Sequence, residues 1–70
     1  MSISTEEYFT LFLYDEEAGL WFDEFGSYDR EEVKEEEDIA SDVYYWHTIV
    51  ETDGTHEALM KASEKLNYLI

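Results

Sequence analysis

Residues 29–38 read Asp-Arg-Glu-Glu-Val-Lys-Glu-Glu-Glu-Asp, so that seven of ten consecutive positions are acidic. Such a segment lies at the surface of a fold, because an ionised carboxylate that is buried without a partner is very costly. Residues 54–70 are electrically neutral, whereas residues 1–53 hold 17 acids against Arg30 and Lys34. The net charge of −15 therefore lies entirely in the first three quarters of the chain. A charge that served only solubility would not need this asymmetry.

The acidic segment carries the start signals of a helix. Asp29 is a suitable N-cap residue, and Glu32 follows three residues later, as in a capping box. Tyr28 and Val33 hold the positions of a hydrophobic staple. We predict a helix over about residues 30–41, with a thin apolar stripe. The stripe consists of Val33, Ala40 and Ile39.

Three short runs of aromatic and β-branched residues predict strands. The first is Glu7–Tyr14. Its faces are Phe9, Leu11 and Leu13 on one side and Tyr8, Thr10, Phe12 and Tyr14 on the other. Because both faces are largely apolar, we expect a central strand or one that is covered on both sides. Ser4 and Glu7 also fit a capping box, so a helical start over residues 4–14 is the alternative.

The second predicted strand returns from a hairpin. The loop is Asp15–Gly19, in which Gly19 tolerates the positive φ that such loops need, and the strand is Leu20–Phe25. The third strand is Val43–Glu51. Its expected faces are Val43, Tyr45, His47 and Ile49 on one side and Tyr44, Trp46, Thr48 and Val50 on the other.

The last helix is predicted from Thr55, its N-cap, to about Leu69. Its apolar face consists of Leu59, Ala62, Leu66 and Leu69. The order β-β-α-β-α predicts a single α+β domain over residues 1–70, with a three-stranded, mainly antiparallel sheet. The last helix is expected on one face of this sheet, and the acidic helix at an edge or on the other face.

Several classes of protein are disfavoured by what the chain lacks. With no cysteine it has neither disulfides nor thiolate metal sites. Aromatic residues, 17% of the chain, can compensate because large rings bury much area per residue. A homodimer would add stability to so small a domain. The first residues resemble no signal peptide, and no run of about 18 apolar residues is present, so we expect a cytoplasmic protein. Anionic lipid headgroups would repel it.

The chemistry of the chain favours binding over catalysis. His47 and His56 match no zinc pattern, and the acidic run lacks the alternating ligands and the glycine of a calcium loop. We expect His47 to pack with aromatic residues in its strand, and His56 to lie in the first turn of the last helix. No nucleophile motif or phosphate loop is present, so we expect neither an enzyme nor a cofactor. The charge also opposes direct binding to nucleic acid.

The acidic helix has a charge density close to that of DNA. At about 1.5 Å per residue, its acids are spaced by about 2 Å, against about 1.7 Å per phosphate charge in a duplex. At about 100° per residue Glu31, Glu35 and Asp38 line up, with Glu32 beside them. The hairpin can extend this surface through Asp15, Glu16, Glu17, Asp23 and Glu24.

Small size and the charge of Asp29–Asp38, supported by Asp15–Glu17, make the chain resemble a class of proteins from bacteriophages and mobile elements. These are nucleic-acid-mimic inhibitors, such as anti-restriction and anti-CRISPR proteins. The resemblance rests on no sequence motif, and it implies a target whose nucleic-acid groove is lined with Lys and Arg. We therefore expect a protein that blocks or sequesters such a basic surface, in the host cytoplasm if it is phage-encoded.

The alternative is a structural or regulatory interaction module. In it, exposed aromatic residues such as Tyr44, Trp46 or Trp21 anchor a partner. The acidity then serves only solubility or adaptation to high salt.

Overall fold

A computed structural model describes residues 7–68 of the chain. Its elements are β1 (Tyr8–Asp15), β2 (Leu20–Ser27), α1 (Arg30–Ala40), β3 (His47–Thr52) and α2 (His56–Tyr68). The strands form one antiparallel sheet in the order β2-β1-β3. The predicted α+β fold with the order β-β-α-β-α is confirmed. Neither helix within residues 7–68 has the length and apolar character needed to cross a membrane.

Strand β1 is the centre of the sheet, as its two apolar faces predict. Leu11, Phe12 and Leu13 are almost completely buried, and neighbouring residues of this strand point to opposite faces. The alternative of a helical start is wrong from Tyr8 onward, whereas Ser4 lies outside the described residues.

Helix α1 covers one face of the sheet rather than an edge. Its Val33 is fully buried and packs in a cluster with Phe9, Leu11 and Leu13 of β1. The opposite face of β1 is covered as well, since Thr10 and Phe12 are also buried.

Helix α2, which contacts both outer strands, is the element on that opposite face. The chain bends into it at Gly54, whose φ of 85° is left-handed, and Thr55 accepts a hydrogen bond from the Ala58 N–H at 3.1 Å as the predicted N-cap. At its other end, Asn67 accepts from the Trp21 N–H at 2.8 Å. This bond joins α2 to the outer edge of β2. Of the predicted apolar face, Leu59, Ala62 and Leu66 are half-buried, and Leu69 lies outside the described residues.

A β-bulge in β2 brings two phenylalanines to the same face. Leu11 lies opposite Phe25 and the next residue, Phe12, opposite Asp23, so that Glu24 is the extra residue. Phe22 and Phe25 are three positions apart and would face opposite sides of a regular strand. With the bulge, both pack against the cluster beneath α1.

The prediction for the third strand is wrong at its start. Strand β3 begins at His47 instead of Val43 and ends at Thr52. The backbone N–H groups of Val43 and Tyr44 both donate to the Ala40 carbonyl, at 2.9 and 2.8 Å, so the chain is still turning after α1. The predicted alternation of faces therefore fails over residues 43–46. Tyr44 enters the core, with its ring 5.8 Å from that of Phe22.

Candidate anionic binding surface

The start of α1 is fixed by a chain of polar contacts. Asp29 caps the helix as predicted, since its carboxylate accepts from the Glu31 N–H at 3.0 Å. The return bond of a capping box is replaced by Ser27. The Ser27 hydroxyl accepts from the Asp29 N–H at 2.9 Å and donates to the Glu32 carboxylate at 2.7 Å. Tyr28, the expected staple partner of Val33, has its ring edge-on to Tyr8 at 4.9 Å.

The outer face of α1 holds the predicted row of carboxylates. Glu31, Glu35 and Asp38 are all exposed, and we call them the anionic ridge. At about 100° per residue they lie within about 40° of the direction opposite Val33. Burial of Val33 in the core therefore fixes the ridge toward solvent. From Glu31 to Asp38 it extends about 10 Å along the helix.

The charge of α1 is not neutralised within the described part of the chain. Among residues 7–68, the only close contact between an acidic side chain and a Lys, Arg or His side chain joins Glu37 Oε2 to His47 Nδ1 at 2.9 Å. Arg30 and Lys34 thus form none in this range. The last turn of α1 contains acidic residues and no basic one, so their negative charges are repelled by the negative end of the helix dipole.

The contact between Glu37 and His47 ties the end of α1 to the beginning of β3. The sequence predicts that His47 packs with aromatic residues, and it does not reveal this contact with a carboxylate on α1. His47 lies opposite Leu13, two residues before the end of β1. The C-terminal end of α1 and the hairpin loop therefore lie at the same end of the sheet.

The hairpin acids divide into structural and free carboxylates. Asp15 is half-buried, and its carboxylate accepts from the Glu17 and Ala18 N–H groups at 3.0 and 3.2 Å, so it shapes the loop. Gly19 has the predicted left-handed conformation, with φ of 72°. Glu16 and Glu17 are exposed at the end of the sheet where α1 terminates.

The two remaining predicted site residues, Asp23 and Glu24, lie at the bulge in the middle of β2 and not in the loop. Asp23 is exposed, and because it pairs with Phe12 it belongs to the face opposite α1. Glu24 is exposed at the bulge itself. The anionic ridge and Glu32 therefore lie on α1, Glu16 and Glu17 lie at the end of the sheet where α1 terminates, and Asp23 and Glu24 lie farther along β2, with Asp23 on the opposite face.

An apolar patch follows the ridge, and the sequence does not reveal it. We define it as Ile39, Val43, Tyr45 and Trp46, all of which are exposed. The sequence predicts that Val43, Tyr45 and Trp46 belong to a strand. In such a strand, every second side chain would face the covered side of the sheet. Of the three aromatic anchors considered for an interaction module, Trp46 alone is exposed. Tyr44 is in the core, and Trp21 is half-buried, with its ring 5.5 Å from Tyr14.

No group of three or more His, Asp or Glu side chains within residues 7–68 is arranged to hold a metal ion. Comparison of the chain with known protein families, curated proteins and solved structures finds no match. The chemistry of this surface is therefore argued from its own residues.

Proposed function

We propose that the protein binds and blocks a basic, nucleic-acid-binding surface of another protein, with carboxylates in the place of phosphates. The observation that carries this proposal is the anionic ridge, which is exposed, is not paired with any base within the described residues, and is held by a fully buried Val33. Because Val33 attaches the helix to the core, the backbone that carries these charges is already ordered before a partner binds.

Electrostatics explains why such a ridge would serve binding. A patch of one sign speeds association with a patch of the other sign and rejects partners of like charge. Exposed charges are screened over about 8–10 Å at ordinary salt concentrations, so affinity should fall as salt rises. The proposal extends to inhibitors of the anti-restriction and anti-CRISPR kind, whose targets hold nucleic acid in grooves of Lys and Arg.

The test is displacement of nucleic acid from purified DNA- and RNA-processing proteins. Each target is loaded with a fluorescent duplex or RNA, and release on addition of the protein is followed by anisotropy at increasing salt. A triple variant, Glu31→Gln, Glu35→Gln and Asp38→Asn, should displace at least about tenfold less well, as expected for the loss of charge pairs worth about 1.4 kcal/mol.

A matched control removes the same number of charges elsewhere. Glu51, Glu57 and Glu64 are exposed on β3 and α2, and their triple change to Gln gives the same net charge as the ridge variant. If both variants lose displacement equally, overall charge and not the ridge is responsible. The proposal is wrong if the ridge variant displaces nucleic acid as well as the wild type does.

The exposed aromatic residues favour a second candidate, a protein-interaction module. Tyr45 is 78% exposed and Trp46 53%. In this case a partner would bind through Trp46, and the acids would only keep the protein in solution. Binding that is lost on Trp46→Ala and unchanged by the ridge variant, at all salt concentrations, would favour this module over the charge mimic.

A further inference from the structure

Exposed apolar side chains are concentrated in one short stretch of the chain. Eight large apolar side chains within residues 7–68 are exposed, and four of them, the apolar patch, fall within residues 39–46. Scattered single residues of this kind are ordinary on protein surfaces, whereas exposed apolar side chains that lie together, as the Tyr45 and Trp46 rings do, favour an interaction site. Tyr and Trp, which make half of the patch, are also the residues most often found as binding anchors.

The patch is held in place by the backbone around it. Ser41 and Tyr44 donate backbone hydrogen bonds back into the last turn of α1, to Glu37 at 2.9 Å and to Ala40 at 2.8 Å. The Trp46 carbonyl accepts from the Tyr14 N–H at 3.1 Å, which fixes this residue to the central strand. The rings of Tyr45 and Trp46 meet edge to face, with centroids 5.0 Å apart. The aromatic pair is therefore exposed on an anchored backbone.

The patch begins at Ile39, beside the end of the anionic ridge. Ile39 follows Asp38 in the last turn of α1 and lies one turn beyond Glu35. Asp42 stands beside Val43 in the turn that leads to the aromatic pair, and it is exposed. Apolar side chains bordered by charge have the anatomy of a protein interface, with an aromatic centre and a polar rim.

The charge decides which occupant fits. Anionic lipid and nucleic acid are repelled by the acids beside the patch, and a second copy of the chain would bring its own charge of −15. A basic protein surface is attracted. We infer that the anionic ridge and the apolar patch form one docking surface for a protein whose Lys and Arg residues border an apolar pocket. The inference rests on the proposed function and specifies the partner further.

The test uses two synthetic helical peptides that carry equal numbers of Lys and Arg. One has leucines along one face, and the other has serines at the same positions. Affinities are measured by anisotropy of the labelled peptides at several salt concentrations. The wild type should bind the leucine peptide at least about tenfold more tightly than the serine peptide at about 150 mM salt.

Variants separate the patch from the ridge. The double change Tyr45→Ser and Trp46→Ser should abolish the preference for leucine and leave the salt dependence unchanged. The control is Met60→Ser with Tyr68→Ser, because these α2 residues are 51% and 88% exposed and lie outside the patch. It should keep the preference. Circular dichroism and the thermal midpoint establish that both variants fold.

The possible failures point to different errors. The docking inference fails if the wild type binds the two peptides with equal affinity, or if the control loses the preference for leucine as the patch variant does. It fails alone, without the proposed function, when the ridge variant has lost affinity for both peptides. If the ridge variant binds both peptides as the wild type does, the proposed function fails as well. If the wild type binds neither peptide at low salt, the docking inference and the proposed function are both overturned.

Discussion

Replacement of Glu35 by Gln should stabilise the protein although it removes a charge from the proposed binding surface. Glu35 is exposed at the middle of the ridge, and its neighbours on the helix surface at three and four positions are Glu31, Glu32, Asp38 and Ile39. Three of the four are acids and none is a base. Each like-charge pair costs about 0.2–0.5 kcal/mol, so the three together cost about 1 kcal/mol. Gln has nearly the same helix propensity as Glu, so the substitution isolates the charge.

Thermal unfolding at low salt measures this gain. About 1 kcal/mol corresponds to a rise of about 4–8 °C in the Tm of a domain of this size. The rise should shrink in about 0.5 M NaCl, because exposed charges are screened there. The control is Glu57→Gln in α2, because Glu57 lies in the first turn, where a negative charge favours the helix dipole, and the residue four positions later is Lys61 rather than an acid. No like-charge repulsion is relieved there, so Tm should not rise. An unchanged or lower Tm for Glu35→Gln at low salt, or a gain that is insensitive to salt, would refute the repulsion within the ridge.

Two further predictions test the packing and the turn before α2. Gly26→Ala should destabilise the fold by about 1–3 kcal/mol in urea unfolding, since a Cβ there would lie 2.8 Å from ring carbons of Tyr8. In a chain that also carries Tyr8→Ala, the same change should cost much less. If the free-energy losses of the two substitutions are simply additive, the contact is contradicted. The Thr55 N–H and hydroxyl donate to Asp53 at 3.0 and 2.7 Å and lower the pKa of its carboxyl, with the backbone bond the larger cause. A carboxyl whose pKa is lower in the folded state than in the unfolded state stabilises the fold at pH values above the unfolded pKa. This stabilisation is lost as pH falls through the folded pKa. The difference in stability between Asp53→Asn and the wild type should therefore be largest above pH about 4 and should shrink at lower pH. A difference that does not change with pH would exclude a stabilising role for the ionised Asp53 carboxylate.

The stability of α1 and its proposed binding role oppose each other. The acids of the ridge repel one another, and the acidic last turn opposes the helix dipole. The fold tolerates this cost because Val33 and Ala40 attach the helix to a core formed largely by β1. Substitutions that relieve the repulsion should therefore strengthen the fold and weaken the binding of a basic partner. Such trade-offs are common at functional surfaces.

Local signals in the sequence were sufficient where neighbouring residues decide the structure. Asp29 and Thr55 cap their helices because their side chains accept bonds from the first turn that follows. Gly19 takes the left-handed conformation that a hairpin loop needs. The ridge faces outward because the helical period places it opposite Val33, the one strongly apolar residue among the charges. These features depend on spacing along the chain alone.

Long-range pairing decided what the sequence left open. Aromatic and β-branched residues favour a strand, but this preference depends strongly on tertiary context, so nothing local tells that β3 begins at His47 rather than at Val43. The start is set where the chain leaves the turn after Ala40 and meets Leu13 of β1. The bulge that places Phe22 and Phe25 on one face, and the contact between Glu37 and His47, likewise need two distant segments to meet.

The sequence by itself determined an acidic helix, its outward ridge and the order of the elements. The tertiary structure alone decided which aromatic side chains remain available to a partner. Tyr44 and Trp46 are two residues apart and equally suited to a core, yet Tyr44 packs beside Phe22 whereas Trp46 remains exposed. The physical reason is that a side chain is buried only where a neighbouring element leaves volume for it. That volume depends on the register of β1, β2 and β3 and the placement of α1.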